Sequence, residues 1–146
     1  MRISNKKWLF FGIYNPQKSQ ISSFLSALSE NLCHYLPLYD NVLLIGDFNS
    51  EISEKEMEEF CSLYDLKSLI RTPTCFKSDT NPSCIDLILT NRLNCFQNSS
   101  TIETGLSDFH HLIVTVLKTK FKKKPPCKIM LLLLHIITCV YSRSWV

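Results

Sequence analysis

The feature that most constrains the fold is the run Val42–Ser50, which reads Val-Leu-Leu-Ile-Gly-Asp-Phe-Asn-Ser. Its four branched apolar residues, Val42–Ile45, predict a short strand buried on both faces. Asp47 and Asn49 follow one residue apart, and positions two apart in extended chain point to the same side. A carboxylate and an amide would then face one spot at the strand end. The alternative is a strand followed by an ordinary Asp/Asn turn, and this run alone leaves both interpretations open.

The chain before this run predicts a strand and a helix. Lys7–Tyr14 is rich in aromatic residues and is interpreted as a strand. Apolar residues at helical spacing follow over Ile21–Leu32, with Ser19 or Ser22 as the candidate N-cap. Together with the strand at Val42–Ile45 they form a strand–helix–strand unit, which is typical of an α/β layered domain.

The chain after this run predicts a second helix, two strands and a polar loop. Ser53 and Glu56 have the spacing of a capping box, in which the Glu carboxylate reaches back to the Ser amide. The neighbouring acidic residues are interpreted as a solvated helix face that the helix dipole favours. These acidic residues are Glu51, Glu54, Glu56, Glu58 and Glu59. Cys84–Thr90 and Leu112–Leu117 predict strands, with Gly105–His111 as a polar loop between them.

Composition and charge indicate one ordinary globular domain. The chain has 146 residues, 45% of them hydrophobic and 20% charged, which is enough for one domain and too short for two. The net charge of +3 is uneven, because all 13 acidic residues lie at or before Asp108. Residues 1–108 carry −4 and residues 109–146 carry +7. A basic excess confined to one segment indicates a polyanionic partner only weakly.

The seven cysteines are scattered, odd in number and without Cys-x-x-Cys spacing. Only Trp8–Phe11 is apolar near the start, so no secretory signal is recognised. We therefore expect reduced thiols, rather than a disulfide framework or a zinc site, and a nuclear or cytoplasmic location.

The composition changes abruptly from Lys118 onwards. Lysines surround Pro125-Pro126, and an apolar run interrupted by His135 then spans the 13 residues Ile129–Tyr141. This run is shorter than the roughly 17–25 residues that cross a bilayer. We expect residues 1–124 to form the domain and 125–146 to be a linker and apolar tail outside it. A docking helix or a tail anchor is the alternative, but we expect no stable membrane association.

The residues that suit chemistry each end a predicted strand or lie in the loop beside one, where ligand sites of open α/β folds gather. They are Tyr14, Asp47, Asn49, Asp86, Asp108 and the pair His110/His111. Taken singly, each has an ordinary interpretation as a strand, turn or solvated loop residue. Together they offer what phosphodiester hydrolysis needs, namely an oriented water, oxygen ligands for Mg²⁺, and a His held by a buried Asp.

Three motifs carry a resemblance to a known family. They are Gly-Asp-Phe-Asn at 46–49, Ser-Cys-Ile-Asp-Leu-Ile-Leu at 83–89 and Ser-Asp-Phe-His at 107–110. They resemble the later motifs of the endonuclease/exonuclease/phosphatase superfamily, and Lys7–Lys124 is most similar to the endonuclease domain of LINE-type non-LTR retrotransposons. The resemblance implies an α/β fold, a two-sheet sandwich flanked by helices, with its N-terminal part missing and the site at one end of the sandwich.

The resemblance also implies roles for single residues. Tyr14 would contact the scissile phosphate, and Asp47 with Asn49 would orient the attacking water and stabilise the transition state. DNA would be the substrate and partner.

The later motifs imply the remaining roles. Asp86 would pair with the loop histidine, and Asp108 would lie near the metal, Mg²⁺ or Mn²⁺. The family loop usually reads Ser-Asp-His, whereas Phe109 intervenes here. His110 is therefore the predicted catalytic imidazole, with His111 as the alternative.

The chain departs from the family in one respect. The family has an Asn and a metal-binding Glu before the position of Tyr14, and no residue of Met1–Phe11 takes the place of either. We therefore expect a Mg²⁺-dependent DNA endonuclease domain that is inactive or fragmentary in this chain. The alternative is a non-catalytic retrotransposon-derived remnant that binds nucleic acid weakly.

Overall fold

The computed structural model describes residues 2–3, 5–16, 20–77 and 80–118. The predicted domain limit at 124, the linker and tail at 125–146, and Ser19 as a helix cap all lie outside these residues. The elements in chain order are β1 (Arg2–Ile3), β2 (Lys6–Tyr14), α1 (Ile21–Tyr35), β3 (Asn41–Asp47), α2 (Lys55–Leu63), β4 (Lys67–Ser68), β5 (Asp86–Thr90), β6 (Phe96–Ile102) and β7 (Leu112–Leu117).

The main sheet has five strands in the order β1-β2-β3-β5-β4. β2 and β3 are parallel and joined by α1, so the predicted strand–helix–strand unit is confirmed. β5 runs antiparallel to β3 on its other side. The predicted strand at Val42–Ile45 is therefore central in the sheet. Its first three residues are buried, whereas Ile45 is 36% exposed.

Both helices pack on one face of this sheet. The buried residues of α1 are Ile21, Leu25, Leu28 and Leu32, at the predicted helical spacing. They share a core with Met57, Phe60 and Cys61 of α2 and with alternate residues of β3 and β5. Neither N-cap residue makes a side-chain capping bond. Burial of the apolar residues against the sheet therefore stabilises the two helices.

Within the described residues, both predicted helix caps are wrong. Ser22 lies inside α1, whose N-cap is Gln20. The capping box of Ser53 and Glu56 does not form, because α2 begins at Lys55 with Glu54 as its N-cap. A turn precedes it, in which the backbone N–H of Glu51 donates to Glu54 Oε1 at 3.2 Å.

A second sheet covers part of the opposite face. β6 and β7 form an antiparallel pair, and Phe96, Ile113 and Leu117 pack against Trp8 and its neighbours on the main sheet. The rings of Trp8 and Phe96 meet edge to face with centroids 5.7 Å apart. The described residues therefore form a mixed α/β structure of two sheets and two helices.

Gly46 has a positive φ of 146° near the end of β3. A Cβ at this position would overlap the backbone carbonyl of Ile13 on β2. Only glycine permits this close approach of the two strands, and the approach brings the ends of β2 and β3 together.

Two further findings concern the described residues alone. No disulfide joins the five cysteines that lie within them. None of their helices is long and apolar enough to cross a membrane.

Candidate active site

Three strands bring three polar side chains into one row. Tyr14 ends β2, Asp47 ends β3 and Asp86 begins β5. Tyr14 is in register with Asp47, and Asp47 is in register with Asp86. Directly paired residues on adjacent strands project to the same face of a sheet. The row therefore lies on the face that the second sheet partly covers.

Asp47 closes its strand with a tight turn. Its Oδ1 accepts the backbone N–H of Asn49 at 2.8 Å, and Asn49 has a left-handed φ of 51°. The predicted reason for their proximity, alternation in extended chain, is therefore wrong, because the chain turns after Asp47. The amide of Asn49 points back towards β2 and donates to the backbone oxygen of Asn15 at 3.4 Å.

Asn15 is a residue of this corner that the sequence did not single out. It is 2% exposed. Its backbone N–H donates to the backbone oxygen of Asp47 at 2.8 Å, and its side-chain amide donates to the backbone oxygen of Phe48 at 2.9 Å. It thereby ties the end of β2 to the turn after β3. The only available sequence signal was a polar residue between a strand and Pro16.

His110 is the histidine that reaches the row. Its Nδ1 lies 3.4 Å from Oδ2 of Asp86, with side chains 30% and 19% exposed respectively. His111 turns away and packs on Phe76, with ring centroids 4.2 Å apart. The contact expected for Asp86 is present and is made by His110. Its catalytic role remains a prediction.

Thr74 bonds to the backbone of Asp86 and to the residue that follows His110. Its hydroxyl accepts the backbone N–H groups of Ile85 at 3.2 Å and Asp86 at 3.1 Å. Its carbonyl accepts the N–H of His111 at 2.8 Å. Thr74 is fully buried, so these bonds are shielded from water. No local sequence pattern indicates such long-range bonds.

Asp47 has the perturbed carboxyl group of the site. Burial is the main cause that raises its pKa, and the nearby Asp86 carboxylate raises it further. The hydrogen bond from Asn49 and the charges of His110 and Lys77 act in the opposite direction. The two carboxylates thus lie within electrostatic reach of each other.

The donor set fits a hard divalent cation in part. Among the described residues, no three His, Cys, Asp or Glu side chains are arranged to hold a metal ion. Mg²⁺, however, is commonly held by one or two carboxylates, with water and substrate phosphate completing its shell. Asp47 and Asp86 supply such a pair, and a bound cation would relieve the repulsion between them.

Asp108 lies in the exposed loop before His110. The hydroxyl of Ser107 accepts the N–H of His110 at 3.2 Å and shapes this loop. Within the described part of the chain, the structure does not bring Asp108 into a metal-holding group with other acidic residues. Its predicted place near a metal therefore stays a prediction.

Comparison with known proteins gives the fold and no function. No protein-family model matches the chain, and no curated protein matches it. It is similar to the crystal structure of a functionally unknown conserved protein from Enterococcus faecalis V583, with a TM-score of 0.54 and 16% identity. The match covers 76% of this chain and 50% of the other, so the chain spans about half the length of that protein.

Proposed function

We propose that the chain carries the phosphodiester-hydrolysing site of a DNA endonuclease of the endonuclease/exonuclease/phosphatase type, as in LINE-type retrotransposons. The observation that supports it is the meeting of three separate motifs at one end of the main sheet. Asp47 and Asp86 pair across β3 and β5, and His110 contacts Asp86. The sandwich fold of that superfamily is part of this proposal.

His110 and Asp86 supply the proton chemistry in this proposal. A carboxylate that accepts the Nδ1–H fixes the imidazole tautomer and leaves Nε2 to take or give a proton. The Nδ1···Oδ2 distance of 3.4 Å is longer than the usual limit of about 3.2 Å. Catalytic hydrogen bonds are often long without substrate and tighten in its complex.

The other side chains position the reacting groups. The Asp47 carboxylate accepts a hydrogen bond from the attacking water, and the Asn49 amide donates to a phosphate oxygen. Tyr14 is 68% exposed at the open end of the row, where its hydroxyl can reach the phosphate of a long substrate. Groups held in advance in this way lower the barrier by orientation and by stabilising developing charge.

A divalent cation completes the proposed site. The family's metal-binding Glu has no counterpart in Met1–Phe11. The proposed donors are instead the carboxylates of Asp47 and Asp86, with Asp108 as the ligand expected from the resemblance, and we therefore expect slow nicking in place of the inactive chain that the missing Glu predicts. Mg²⁺ or Mn²⁺ would supply charge neutralisation at the phosphate oxygens when bound.

A second candidate is a nucleic-acid-binding protein without catalysis. One observation favours it: residues 109–146 carry an excess charge of +7. Binding of this kind depends on phosphate contacts and weakens steeply with salt.

A plasmid-nicking assay separates the two candidates. Supercoiled plasmid is incubated with the chain in Mg²⁺ or Mn²⁺, beside Asp47→Ala and His110→Ala. Glu58→Gln is the matched control, because Glu58 is exposed on α2. We expect nicking that falls about 100-fold or more in both site variants and is unchanged in the control. Absence of nicking by folded protein that still binds DNA would overturn the catalytic proposal, as would nicking that survives both substitutions.

A further inference from the structure

Cys75 and His110 lie directly opposite each other in a short antiparallel pairing. Backbone hydrogen bonds flank the pair on both sides, from the Phe76 N–H to the Phe109 oxygen at 2.7 Å and from the His111 N–H to the Thr74 oxygen at 2.8 Å. This makes it a non-hydrogen-bonded pair, in which opposed side chains approach most closely. The proximity of thiol and imidazole is therefore set by the backbone.

The side chains use this proximity. Sγ of Cys75 lies 3.6 Å from Nε2 of His110, while Nδ1 of the same ring contacts Asp86. The nitrogen that the proposed reaction needs thus faces a thiol. Cys75 and His110 are 35 positions apart, so Cys-x-x-Cys spacing could not indicate this arrangement.

A Cys–His–Asp nucleophilic triad does not account for it. Cys75 is 5% exposed, which denies access to the sulfur to anything larger than a small ion. Its backbone N–H donates to the Ser83 oxygen at 2.9 Å and is not available to stabilise an oxyanion. The pair lacks the surroundings that a nucleophile requires.

The arrangement does match half of a zinc site. Zn–S and Zn–N bonds of about 2.3 and 2.0–2.1 Å at a tetrahedral angle separate sulfur and nitrogen by about 3.5–3.6 Å. The pair has this separation in the structure, where the thiol and the ring nitrogen are in a hydrogen-bond contact that a bound ion would replace. A carboxylate on the second nitrogen, here Asp86, is the usual outer partner of a zinc-binding His, since it orients the ring and raises its basicity.

We propose that Cys75 and His110 bind Zn²⁺ and that, given the function proposed above, its binding removes the His110 imidazole from phosphodiester hydrolysis. Zn–S and Zn–N bonds replace bonds from the ion to water, the Cys75 S–H bond breaks, and its proton and the displaced waters pass to solvent. Thiolate and imidazole favour zinc over Mg²⁺. The two protein ligands leave the other positions to water, so binding is reversible and weaker than at a four-ligand structural site. The ion enters from the imidazole side, where His110 is 30% exposed.

Cobalt absorption tests the site without reference to nuclease activity. The full chain is titrated with Co²⁺ under reducing conditions, and the thiolate-to-cobalt charge-transfer band is recorded. We expect one equivalent to saturate the band, Zn²⁺ to abolish it, and Cys75→Ser and Cys75→Ala to lose it. Cys33→Ser, at an exposed cysteine, should keep it. A band that survives in folded Cys75 variants, or no band in the native chain, would overturn the proposal.

A second arm addresses inhibition. Nicking in Mg²⁺ is measured with increasing Zn²⁺, and each variant is normalised to its own zinc-free rate. We expect the Zn²⁺ concentration for half-inhibition to rise at least tenfold in Cys75→Ser, and an unchanged value would refute the inhibitory role. A cobalt band without any nicking would leave the zinc site standing and overturn the nuclease proposal alone. Nicking without a band would do the reverse.

Discussion

The two faces of the main sheet are formed by the same strands but differ in how fully other elements cover them. On the helix side, Val42, Leu44, Leu87 and Leu89 are at most 1% exposed. On the other side, Leu43 and Ile88 are buried beneath the second sheet, but Ile45 is 36% and Phe10 44% exposed. Alternate residues of one strand thus meet a closed layer on one face and an open end on the other.

The difference follows from what covers each face. Two helices span the helix side, whereas the two strands β6 and β7 cover the opposite face around Trp8 and Phe96. The row of Tyr14, Asp47 and Asp86 lies at the end where this cover stops. Polar groups can remain partly solvated there, which a close-packed layer would not allow without full pairing. The site is placed where packing ends.

Truncation of adjacent residues should show the largest contrast between the faces. Leu44→Ala empties a fully buried position on the helix side and should cost about 2–5 kcal/mol of unfolding free energy. Ile45→Ala removes a side chain that is already one-third exposed and should cost about 1 kcal/mol. Urea unfolding followed by circular dichroism measures both. Equal losses would mean that the second face is covered in solution.

The closed side was largely predictable from the sequence. β2, α1 and β3 follow from local periodicity, because burial on one face repeats at strand or helix spacing. β6 was not predicted, since Phe96–Ile102 is mostly polar and owes its strand to pairing with β7. The helix caps were mispredicted because the packing of the apolar stripes, and not side-chain capping, holds the helices in place.

The candidate site likewise contains residues that the sequence could indicate and residues that it could not. The side chains at strand ends, such as Asp47 and Asp86, were recognisable because each follows or interrupts an apolar run. The groups that hold them, Asn15 and Thr74, were not, because their bonds join residues distant in sequence. The choice between His110 and His111 likewise depends on loop pairing that no local pattern encodes.

Substitution of Thr74, at the open end of the sheet, should cause the next largest loss of unfolding free energy. Thr74→Val keeps the shape but leaves the N–H groups of Ile85 and Asp86 without their acceptor, at a cost of about 1–3 kcal/mol. Thr74→Ser retains the hydroxyl and should recover most of it. Urea unfolding gives the cost, and the pH titration of the His110 ring followed by NMR reports its alignment with Asp86. Identical unfolding free energies for Val and Ser would show that the hydroxyl does not hold the site.

The smallest effect should have the opposite sign. Burial raises the pKa of Asp47 above its ordinary value of 3.8, so its ionised form is disfavoured in the folded chain. The neutral Asp47 carboxyl group therefore contributes to stability below about pH 4, and this contribution is lost as pH rises through the folded pKa. Asp47→Asn keeps an acceptor for the Asn49 N–H and removes the charge. It should raise the thermal midpoint at pH 7 by less than about 5 °C and leave it unchanged in acid.

Asp40 provides the matched control for this prediction. A hydrogen bond from the Lys7 N–H lowers its pKa, so Asp40→Asn should lower the thermal midpoint at pH 7, and this loss should disappear as pH falls through that lowered pKa. Thermal melts of both variants and the native chain over the same pH series measure the two slopes. If Asp47→Asn also destabilised the chain at pH 7, the folded chain would be stabilising the ionised carboxylate of Asp47. The row would then be part of the packed fold, and the contrast between the two faces would not extend to its charges.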